Sequence, residues 1–372
     1  MNDVERPEFS HAPIWQSSKC LDFIVIKESN LKHPDVSVVV PVYNMAEKGY
    51  LESLLNSLLN QELLSIEFVL VDDCSTDDSI SMIINRVGFD PRFCIASLKV
   101  NSKQGAARNL GIELSKGRYI GFVDADDYVE SNYFYYLNKY ACKTNADIVV
   151  APYQFTDAVL NAAGDPIYPI QPCERTVIEA NTIRKMILHP IRIWSAIYKR
   201  RLFSDFMTRF PIDLYFEDNP TCLRLLCSSR NVTFVPAGLS DSCYLYRQHD
   251  YSTDHRLDNI WRQLNDRIIT SDYLIDDAKA CGYYKLDPYA IEFYYIKLAL
   301  INSLSKLSLL PRSTKVEKKA EEIRDHVLQR LNTSCLLSTL AVGGLKPFLQ
   351  FSFALLLPSI YVKAASTLNS KE

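Results

Sequence analysis

The sequence predicts an α/β fold with a mostly parallel central sheet flanked by helices, followed by a helical C-terminal region. Two observations predict the sheet. Apolar runs typical of buried strands alternate with helical segments over residues 36–123, and three of these strands end in polar residues. A third observation, helical periodicity from Leu257 onward, predicts the C-terminal region. The 372-residue chain is 48% hydrophobic and 23% charged, which excludes a disordered chain and a collagen-like fibre.

The first half of the chain predicts parallel strands joined by helices. The predicted order is strand 36–42, helix 50–61, strand 66–71, a helix opened by a capping box at Ser75 and Asp78, strand 94–100, helix 104–115 and strand 118–123. The run VSVVVPV at residues 36–42 is apolar enough for a strand buried on both faces. Residues 50–61 repeat leucine at helical spacing, which predicts a helix packed on the sheet. Such alternation is typical of parallel strands with helical crossovers.

The pattern becomes less regular after Asp127 and turns helical from Leu257, where the last predicted domain boundary lies. The later predicted elements are helix 129–142, strand 147–153, a loop-rich insertion at 156–185, strand 191–198, helix 218–228, strands 232–235 and 242–248, and helices 256–281, 286–308 and 314–333. We therefore divide the chain into an N-terminal extension (1–34), an α/β domain (35–255) and a helical region (256–372).

Charge and cysteine content limit the partners and the compartment. The net charge of −3 gives no overall positive field to hold a nucleic-acid backbone. The ten cysteines include no C-x-x-C pair, and residues 1–19 lack the apolar core of a signal peptide, so we expect a cytoplasmic protein. Residues 335–362 carry a single charge, on Lys346. They are interpreted either as a buried terminal segment or as a peripheral contact with the inner face of the cytoplasmic membrane.

Polar residues follow three of the predicted parallel strands. They are Tyr43-Asn44, Asp72-Asp73 and Asp124-Ala125-Asp126. In such sheets ligands bind beyond the C-terminal ends of the strands, so these side chains are expected at one site. Asp124 and Asp126 lie two residues apart and point the same way, which favours Mn²⁺ or Mg²⁺ with phosphate oxygens, although such pairs also cap helices. We expect Asp72 to be partly structural and Asp73 to face the ligand.

Four segments carry a resemblance to a known family. They are VVVPVYN at 38–44, VLVDDCSTDD at 69–78, NSKQGAARNLG at 101–111 and GRYIGFVDADDY at 117–128. Together they resemble the nucleotide-sugar-binding half of family 2 glycosyltransferases, which are inverting enzymes with a GT-A fold. The resemblance implies a nucleotide-diphosphate sugar donor, expected to be a UDP-sugar, and a saccharide or lipid-linked saccharide acceptor. It also implies a setting in bacterial surface-polysaccharide biosynthesis.

The resemblance assigns roles to residues at the strand ends. It implies nucleotide-sugar binding by Pro41, Tyr43, Asn44, Glu47, Asp73, Arg108 and Asp124. Arg108 is expected to offset phosphate charge, and Asp126 to hold Mn²⁺ or Mg²⁺. Cys74 departs from the family pattern, because glycine is usual at that position.

Two later segments complete the implied site. YFEDN at 215–219 resembles the family's E-D motif, which makes Asp218 the general base and places Glu217 on the acceptor side. A carboxylate in the first turn of a helix is stabilised as an anion, although both residues can also simply cap that helix. YRQHDYS at 246–252 resembles a segment in which Arg247 and Ser252 reach the diphosphate and His249 completes the metal shell. Asp250-Tyr251 departs from that pattern.

The role of Trp194 is left open between two alternatives. Trp194 matches a position near the acceptor, where it would stack on a sugar or fill the core.

Two other function classes are alternatives to a glycosyltransferase. A dinucleotide-dependent oxidoreductase is disfavoured because no G-x-G-x-x-G follows the first strand. The alternative to an enzyme is a non-catalytic nucleotide-sugar-binding or scaffold protein of a polysaccharide assembly complex.

Overall fold

The structure, a computed structural model, describes residues 12–16, 20–168, 176–177, 180–236, 238–249, 257, 259–331 and 335–369. Within these residues the chain forms two compact units. An α/β unit comprises Ser10–Ile178 and His189–His255, and a helical unit comprises Glu179–Leu188 and Arg256–Glu372. Ser252, one of the predicted diphosphate-binding residues, lies outside the described residues.

The strands are β1 (Phe23–Lys27), β2 (Val36–Val42), β3 (Ile66–Asp72), β4 (Phe93–Leu98), β5 (Tyr119–Phe122), β6 (Tyr128–Val129), β7 (Ile148–Val150), β8 (Tyr153–Thr156), β9 (Ala162–Ile167), β10 (Thr176–Val177), β11 (Ala196–Lys199), β12 (Asn231–Phe234) and β13 (Tyr244–Arg247). The α-helices are α1 (Tyr50–Leu59), α2 (Ser79–Val87), α3 (Lys103–Leu114), α4 (Tyr133–Thr144), α5 (Ala180–Leu188), α6 (Arg201–Ser204), α7 (Asp218–Ser228), α8 (Ile260–Ala280), α9 (Pro288–Ile296), α10 (Ser303–Leu307), α11 (Thr314–Arg330), α12 (Cys335–Gly343), α13 (Leu345–Leu356) and α14 (Pro358–Asn369).

The large sheet has the strand order β1-β4-β3-β2-β5-β11-β7-β12-β10. Its central strands β4, β3, β2 and β5 are parallel, and every residue of β2 and β3 is buried, as their apolar runs predict. The predicted α/β fold class is therefore confirmed. The sheet becomes mixed outside this core, because β1, β10 and β11 pair antiparallel.

Helix α3 packs closely on the central sheet, and this packing sets the position of Arg108. Ala106 and Ala107 are fully buried, and a Cβ added to Gly111 would lie 2.2 Å from Cγ1 of Val39 in β2. Only glycine permits so short a distance between helix and strand. The small residues of α3 thus bring the buried Arg108 side chain close beside the sheet.

A second sheet has the order β6-β13-β8-β9. Strand β13 pairs antiparallel with β6, which directly follows the D-x-D segment, and parallel with β8. Because β6 begins at Tyr128, this pairing brings β13 beside the turn that carries Asp124, Asp126 and Asp127. The small sheet therefore supports that turn.

Three regions depart in detail from the predicted secondary structure. Residues 23–27, placed in the N-terminal extension, form edge strand β1, in which Ile24, Val25 and Ile26 are exposed. The loop-rich insertion at 156–185 contains β9 and the start of α5. The predicted helix 286–308 is divided into α9, a π-helical turn at Lys297–Asn302 and α10.

A charged network around Asp272 helps to hold the helical unit together. Asp272 of α8 accepts hydrogen bonds from Tyr295 Oη (2.9 Å) and Arg330 Nε (3.1 Å), and His326 Nε2 lies 2.9 Å from its Oδ2. The network thus links α8, α9 and α11.

Within the described residues no single helix is long and apolar enough to span a membrane. Helix α13 and the segment Pro358–Ser366 reach the required length and apolar composition only when they are taken together, and the chain bends by 116° between them.

Candidate active site

The loops after β2 and β3 are tied to each other. Asn44 adopts a left-handed backbone (φ 52°); its N–H donates to Ser75 Oγ (3.0 Å) and its Oδ1 accepts from the Thr76 N–H (2.8 Å). Pro41 is buried within β2, whereas Tyr43 is 45% exposed and Glu47 is exposed in the short 3₁₀ turn that follows. Asn44 therefore holds the loop that presents Tyr43 and Glu47.

Both carboxylates after β3 are buried, but they have different partners. Asp72 accepts from Ser97 Oγ (2.8 Å) and the Ser75 N–H (3.2 Å), so it is structural, as the sequence predicts. Asp73 accepts from Asn101 Nδ2 (2.9 Å) and the Ser102 N–H (2.8 Å). Burial raises the pKa of Asp73 to about 6, although these hydrogen bonds favour the anion.

Arg108 joins the D-x-D segment to the E-D segment. Its Nη2 donates to Asp124 Oδ1 (2.6 Å), its Nη1 donates to Glu217 Oε1, and its guanidinium lies over the Phe210 ring. The residue is only 2% exposed, so two carboxylates compensate one buried cation. Burial raises the pKa of Glu217 to about 7, against the opposing effect of Arg108. Arg108 therefore contacts Asp124 and Glu217, whereas the sequence assigned it to phosphate.

Asp126 and His249 lie side by side. His249 Nε2 is 2.9 Å from Asp126 Oδ2, and the His249 ring lies 4.9 Å from the Tyr50 ring. The structure thus brings together the two residues that the sequence assigned to a metal. Within the described part of the chain, no group of three or more His, Cys, Asp or Glu side chains is placed to hold a metal ion.

Asp127 clamps β13 to the D-x-D turn. Its Oδ2 accepts from the Tyr244 hydroxyl (2.6 Å), and its Oδ1 accepts from the Arg247 N–H (2.8 Å). The Tyr244 hydroxyl also accepts from the Asp124 N–H (3.1 Å). Burial and the neighbouring carboxylates of Asp124 and Asp126 raise the pKa of Asp127 well above its usual value. This clamp places His249, two residues after Arg247, beside Asp126.

The side chain of Arg247 points toward α1. Its Nη2 donates to Ser53 Oγ (3.1 Å), and its guanidinium lies 4.5 Å from the centre of the Tyr50 ring. Arg247 is 2% exposed. Sequence reasoning missed Tyr50, Ser53 and Tyr244 as supporting residues, since the pattern of each segment alone gives no sign of these long-range contacts.

Asp218 begins helix α7, and the preceding Phe216 has a left-handed backbone (φ 62°). The Asp218 side chain makes no hydrogen bond or ion pair to any other described residue. It lies close enough to Asp124 to raise the pKa of that carboxyl. Asp218 is therefore a partly exposed carboxylate on the same side of the unit as the D-x-D segment, and its side chain does not cap α7.

Trp194 forms part of an aromatic stack. Its ring centre lies 4.4 Å from that of Tyr244 at an interplanar angle of 20°, and 5.3 Å from that of Tyr246 at 26°. The residue is 7% exposed. Of the two roles that the sequence left open, this environment favours core packing behind the Tyr244 hydroxyl.

Comparison with known proteins agrees with this geometry. Residues 37–190 match the model of glycosyl transferase family 2. The chain is 31% identical over 236 residues to the uncharacterized glycosyltransferase EpsJ of Bacillus subtilis, covering 59% of this chain and 62% of EpsJ. It is 31% identical over 221 residues to glycosyltransferase GlyA of Streptococcus pneumoniae, covering 57% of this chain and 30% of GlyA. The chain thus spans less than two thirds of the length of either relative.

A solved structure shares the fold. Residues 1–349 of TarS from S. aureus, crystallised with UDP-GlcNAc, match with a TM-score of 0.65 at 18% identity, over 91% of this chain and 92% of that chain. At this identity the likeness concerns the fold alone, and it agrees with the predicted GT-A-type architecture. Residues 37–190 thus match glycosyltransferase family 2, in agreement with the resemblance carried by the four N-terminal segments.

Proposed function

We propose that this chain is an inverting glycosyltransferase that moves a sugar from a nucleotide-diphosphate donor to a hydroxyl of a saccharide or lipid-linked saccharide acceptor. One observation carries the proposal: the buried Arg108 guanidinium binds both Asp124 of the D-x-D segment and Glu217 of the E-D segment. A donor-binding segment and a candidate base are thereby fixed relative to each other. The relatives' names support a role in bacterial surface-polysaccharide biosynthesis, because TuaG of B. subtilis is named as a putative teichuronic acid glycosyltransferase.

Asp218 is the proposed general base. Its carboxylate is free of partners among the described residues and lies in the first turn of α7, where unpaired N–H groups favour the anion. Asp218 accepts the proton of the acceptor hydroxyl while that oxygen attacks the anomeric carbon. The bond from that carbon to the diphosphate breaks in the same step, so the configuration inverts without a covalent enzyme intermediate.

UDP is the proposed nucleotide of the donor. Asp73, held by Asn101 and Ser102, is placed to accept a hydrogen bond from the base or the ribose once it is ionised. Tyr43 and Glu47 are exposed on the adjoining loop, where they are accessible to a ligand. The crystal structure of TarS with UDP-GlcNAc supports this choice, since the two chains share a fold.

Mn²⁺ or Mg²⁺ is the proposed cofactor, and the residues fit such an ion. Adjacent ligands in an octahedron with bonds of about 2.1 Å lie about 3 Å apart. The nitrogen of His249 and the oxygen of Asp126 are separated by 2.9 Å, so they suit two neighbouring positions. Mg²⁺ is often held by one or two protein groups, with phosphates and waters completing the shell. When bound, the ion would offset charge on the departing diphosphate.

The helical unit carries a proposed contact with the inner face of the cytoplasmic membrane. Helix α13 buries Phe351 and Leu355 on one face, yet Leu345, Leu349 and Leu356 on the opposite face are 64%, 57% and 71% exposed. A helix that is apolar on both faces is expected to have a partner on each. Residues 335–369 contain two lysines and no acidic residue, which suits an anionic lipid surface.

The test of the enzymatic proposal separates catalysis from donor binding. Transfer from UDP-sugars to candidate acceptors is measured for wild type, Asp218→Asn and, as a matched control, Asp165→Asn on the exposed strand β9. We expect Asp218→Asn to bind UDP normally but to lose at least ~10²-fold in transfer rate. Wild-type transfer by that variant would refute the base assignment. UDP binding by wild type without transfer to any acceptor would favour the scaffold alternative.

A further inference from the structure

The helical unit contains a basic pocket that the proposed reaction does not use. It is a concavity of about 310 Å³ between helices α8 and α11. Its lining side chains are Trp261, Asn265, Lys315, Lys318, Lys319 and Glu322. The four residues from α11 are spaced i, i+3, i+4 and i+7, so they share one face of that helix. We refer to this group of six residues as the basic pocket.

The lysines of the basic pocket are electrostatically unfavourable in the absence of a ligand. Lys315, Lys318 and Lys319 lie in the first two turns of α11, at the positive end of the helix dipole, where cations are disfavoured. They also lie three and four residues apart, which places like charges side by side. Glu317, the acid in the first turn, pairs with Lys363 of α14 (2.8 Å). An anion in the pocket would relieve both kinds of repulsion.

The groups that line the basic pocket leave its positive charge largely uncompensated. Lys319 Nζ lies 3.0 Å from the neutral Asn265 Oδ1 and 3.7 Å from Glu322, the one acid of the set. Lys315 Nζ lies 4.3 Å from the centre of the Trp261 ring. The Lys318 side chain has no hydrogen-bond or ion-pair partner among the described residues. Three cations against one anion leave an excess of two positive charges.

We infer that the basic pocket binds a phosphate group, on a soluble molecule or on a lipid. A phosphomonoester carries about two negative charges at neutral pH, which matches the excess, whereas one carboxylate would leave a lysine uncompensated. Lysine ammonium groups bind phosphate as point charges without fixed geometry. The pocket is larger than a phosphate ion, and the Trp261 ring provides an apolar wall for the group that carries the phosphate. The inference does not depend on the proposed transfer reaction.

Tryptophan fluorescence provides a local test. The chain has three tryptophans, and two of them, Trp15 and Trp194, are only 6% and 7% exposed. Trp261 lines the basic pocket, so its fluorescence should respond to a ligand that binds there. Pyrophosphate is titrated into the full chain, and vesicles that contain phosphatidic acid, a phosphomonoester lipid, are compared with vesicles of phosphatidylcholine. We expect a saturable fluorescence change that Trp261→Phe abolishes. The triple variant Lys315→Gln, Lys318→Gln, Lys319→Gln is expected to bind at least tenfold more weakly.

The matched control removes lysines that also lie over aromatic rings but belong to α4 and not to the basic pocket. Lys139→Gln with Lys143→Gln on α4 should leave binding unchanged. Lysine-dependent binding of pyrophosphate would support a soluble phosphate ligand, and lysine-dependent binding of phosphatidic acid alone would support a lipid headgroup. Binding that survives in the triple variant belongs to another site, such as the donor site. If neither probe shows a lysine-dependent component, the inference is wrong.

Discussion

The Nη2 group of Arg108 donates a 2.6 Å hydrogen bond to Oδ1 of Asp124, although the two residues belong to different motifs of the sequence. The same guanidinium also binds Glu217, 109 residues further along the chain. A buried cation between two carboxylates fixes both of them, because displacing either leaves an uncompensated charge. Arg108 therefore holds the donor segment and the base-bearing segment in one arrangement.

Replacing Arg108 is expected to damage both stability and activity. Arg108→Met leaves the buried Glu217 and the partly buried Asp124 without their cation, which is expected to cost about 3–5 kcal/mol of unfolding free energy. Arg108→Lys keeps the charge but offers one nitrogen in place of the two that bind the separate carboxylates, so transfer should fall at least ~10-fold with a smaller loss of stability. Urea unfolding and transfer assays measure the two effects. Arg92→Lys, on a partly exposed pair with Asp90, is the control.

Such couplings mark the limit of what the sequence predicts. The buried strands β2 and β3 follow directly from apolar runs, and the cluster of polar strand ends follows from parallel pairing. The partners of those polar groups do not follow, because they come from distant segments: Tyr244 contacts Asp127 across 117 residues. Edge strand β1 was not predicted, although Phe23–Ile26 is an apolar run, because the rest of residues 1–34 shows no periodicity.

Loss of the Tyr244 hydroxyl is expected to weaken metal binding. Tyr244→Phe removes the hydrogen bond to Asp127 and the acceptor of the Asp124 N–H, so β13 and His249 lose part of their support. Changes in groups that orient metal ligands typically reduce affinity 10- to 100-fold. UDP is titrated into wild type and variant with and without Mn²⁺. The affinity for UDP should fall at least ~10-fold in the presence of Mn²⁺ and stay unchanged in its absence. Tyr135→Phe, on the surface of α4, should change nothing.

Nucleotide affinity is expected to fall as the pH drops through about 6. The pKa of Asp73 is raised to about 6 by burial, so the residue is ionised at pH 7.5 and mostly protonated at pH 5. Only the anion accepts two hydrogen bonds while offering a third lone pair to the ligand, so UDP should bind roughly tenfold more weakly at pH 5. Asp73→Asn should lack this component of the pH profile. A wild-type profile that matches that of Asp73→Asn would contradict the assignment.

The same Asp73 shift predicts a change in stability. A carboxyl whose pKa is raised on folding binds its proton more tightly in the folded state, so its contribution to stability is fully present below the unfolded pKa near 3.8 and declines toward the folded pKa near 6. As the pH rises through 6, this contribution is lost because a buried anion must be maintained. Asp73→Asn should therefore stabilise the ligand-free protein at pH 7.5 more than at pH 5. Urea unfolding at the two pH values measures the difference.

Asp272 is expected to be the main electrostatic link of the helical unit. Asp272→Asn removes the charge that pairs with Arg330 and His326, and the side chain is only 15% exposed. We expect a loss of about 2–4 kcal/mol in unfolding free energy. Asp325→Asn, which breaks a pair whose carboxylate is 56% exposed, should cost less than about 1 kcal/mol. Equal effects of the two variants would contradict the central role of Asp272.

Membrane contact should depend on the exposed leucines of α13. Burying a leucine side chain contributes about 2 kcal/mol, so replacing Leu345, Leu349 and Leu356 with serine should reduce binding to phosphatidylglycerol vesicles at least ~10-fold, even if burial is partial. Flotation with vesicles measures this. The control is the double variant Leu64→Ser, Phe89→Ser, which removes side chains that are 84% and 97% exposed in the α/β unit. This control tests whether loss of any exposed apolar side chain reduces vesicle binding. Because the substituted leucines point away from the core, unfolding stability should be unchanged. If the leucine variant floats like wild type, the apolar face of α13 is not the membrane contact, and a protein partner for that face becomes the better hypothesis.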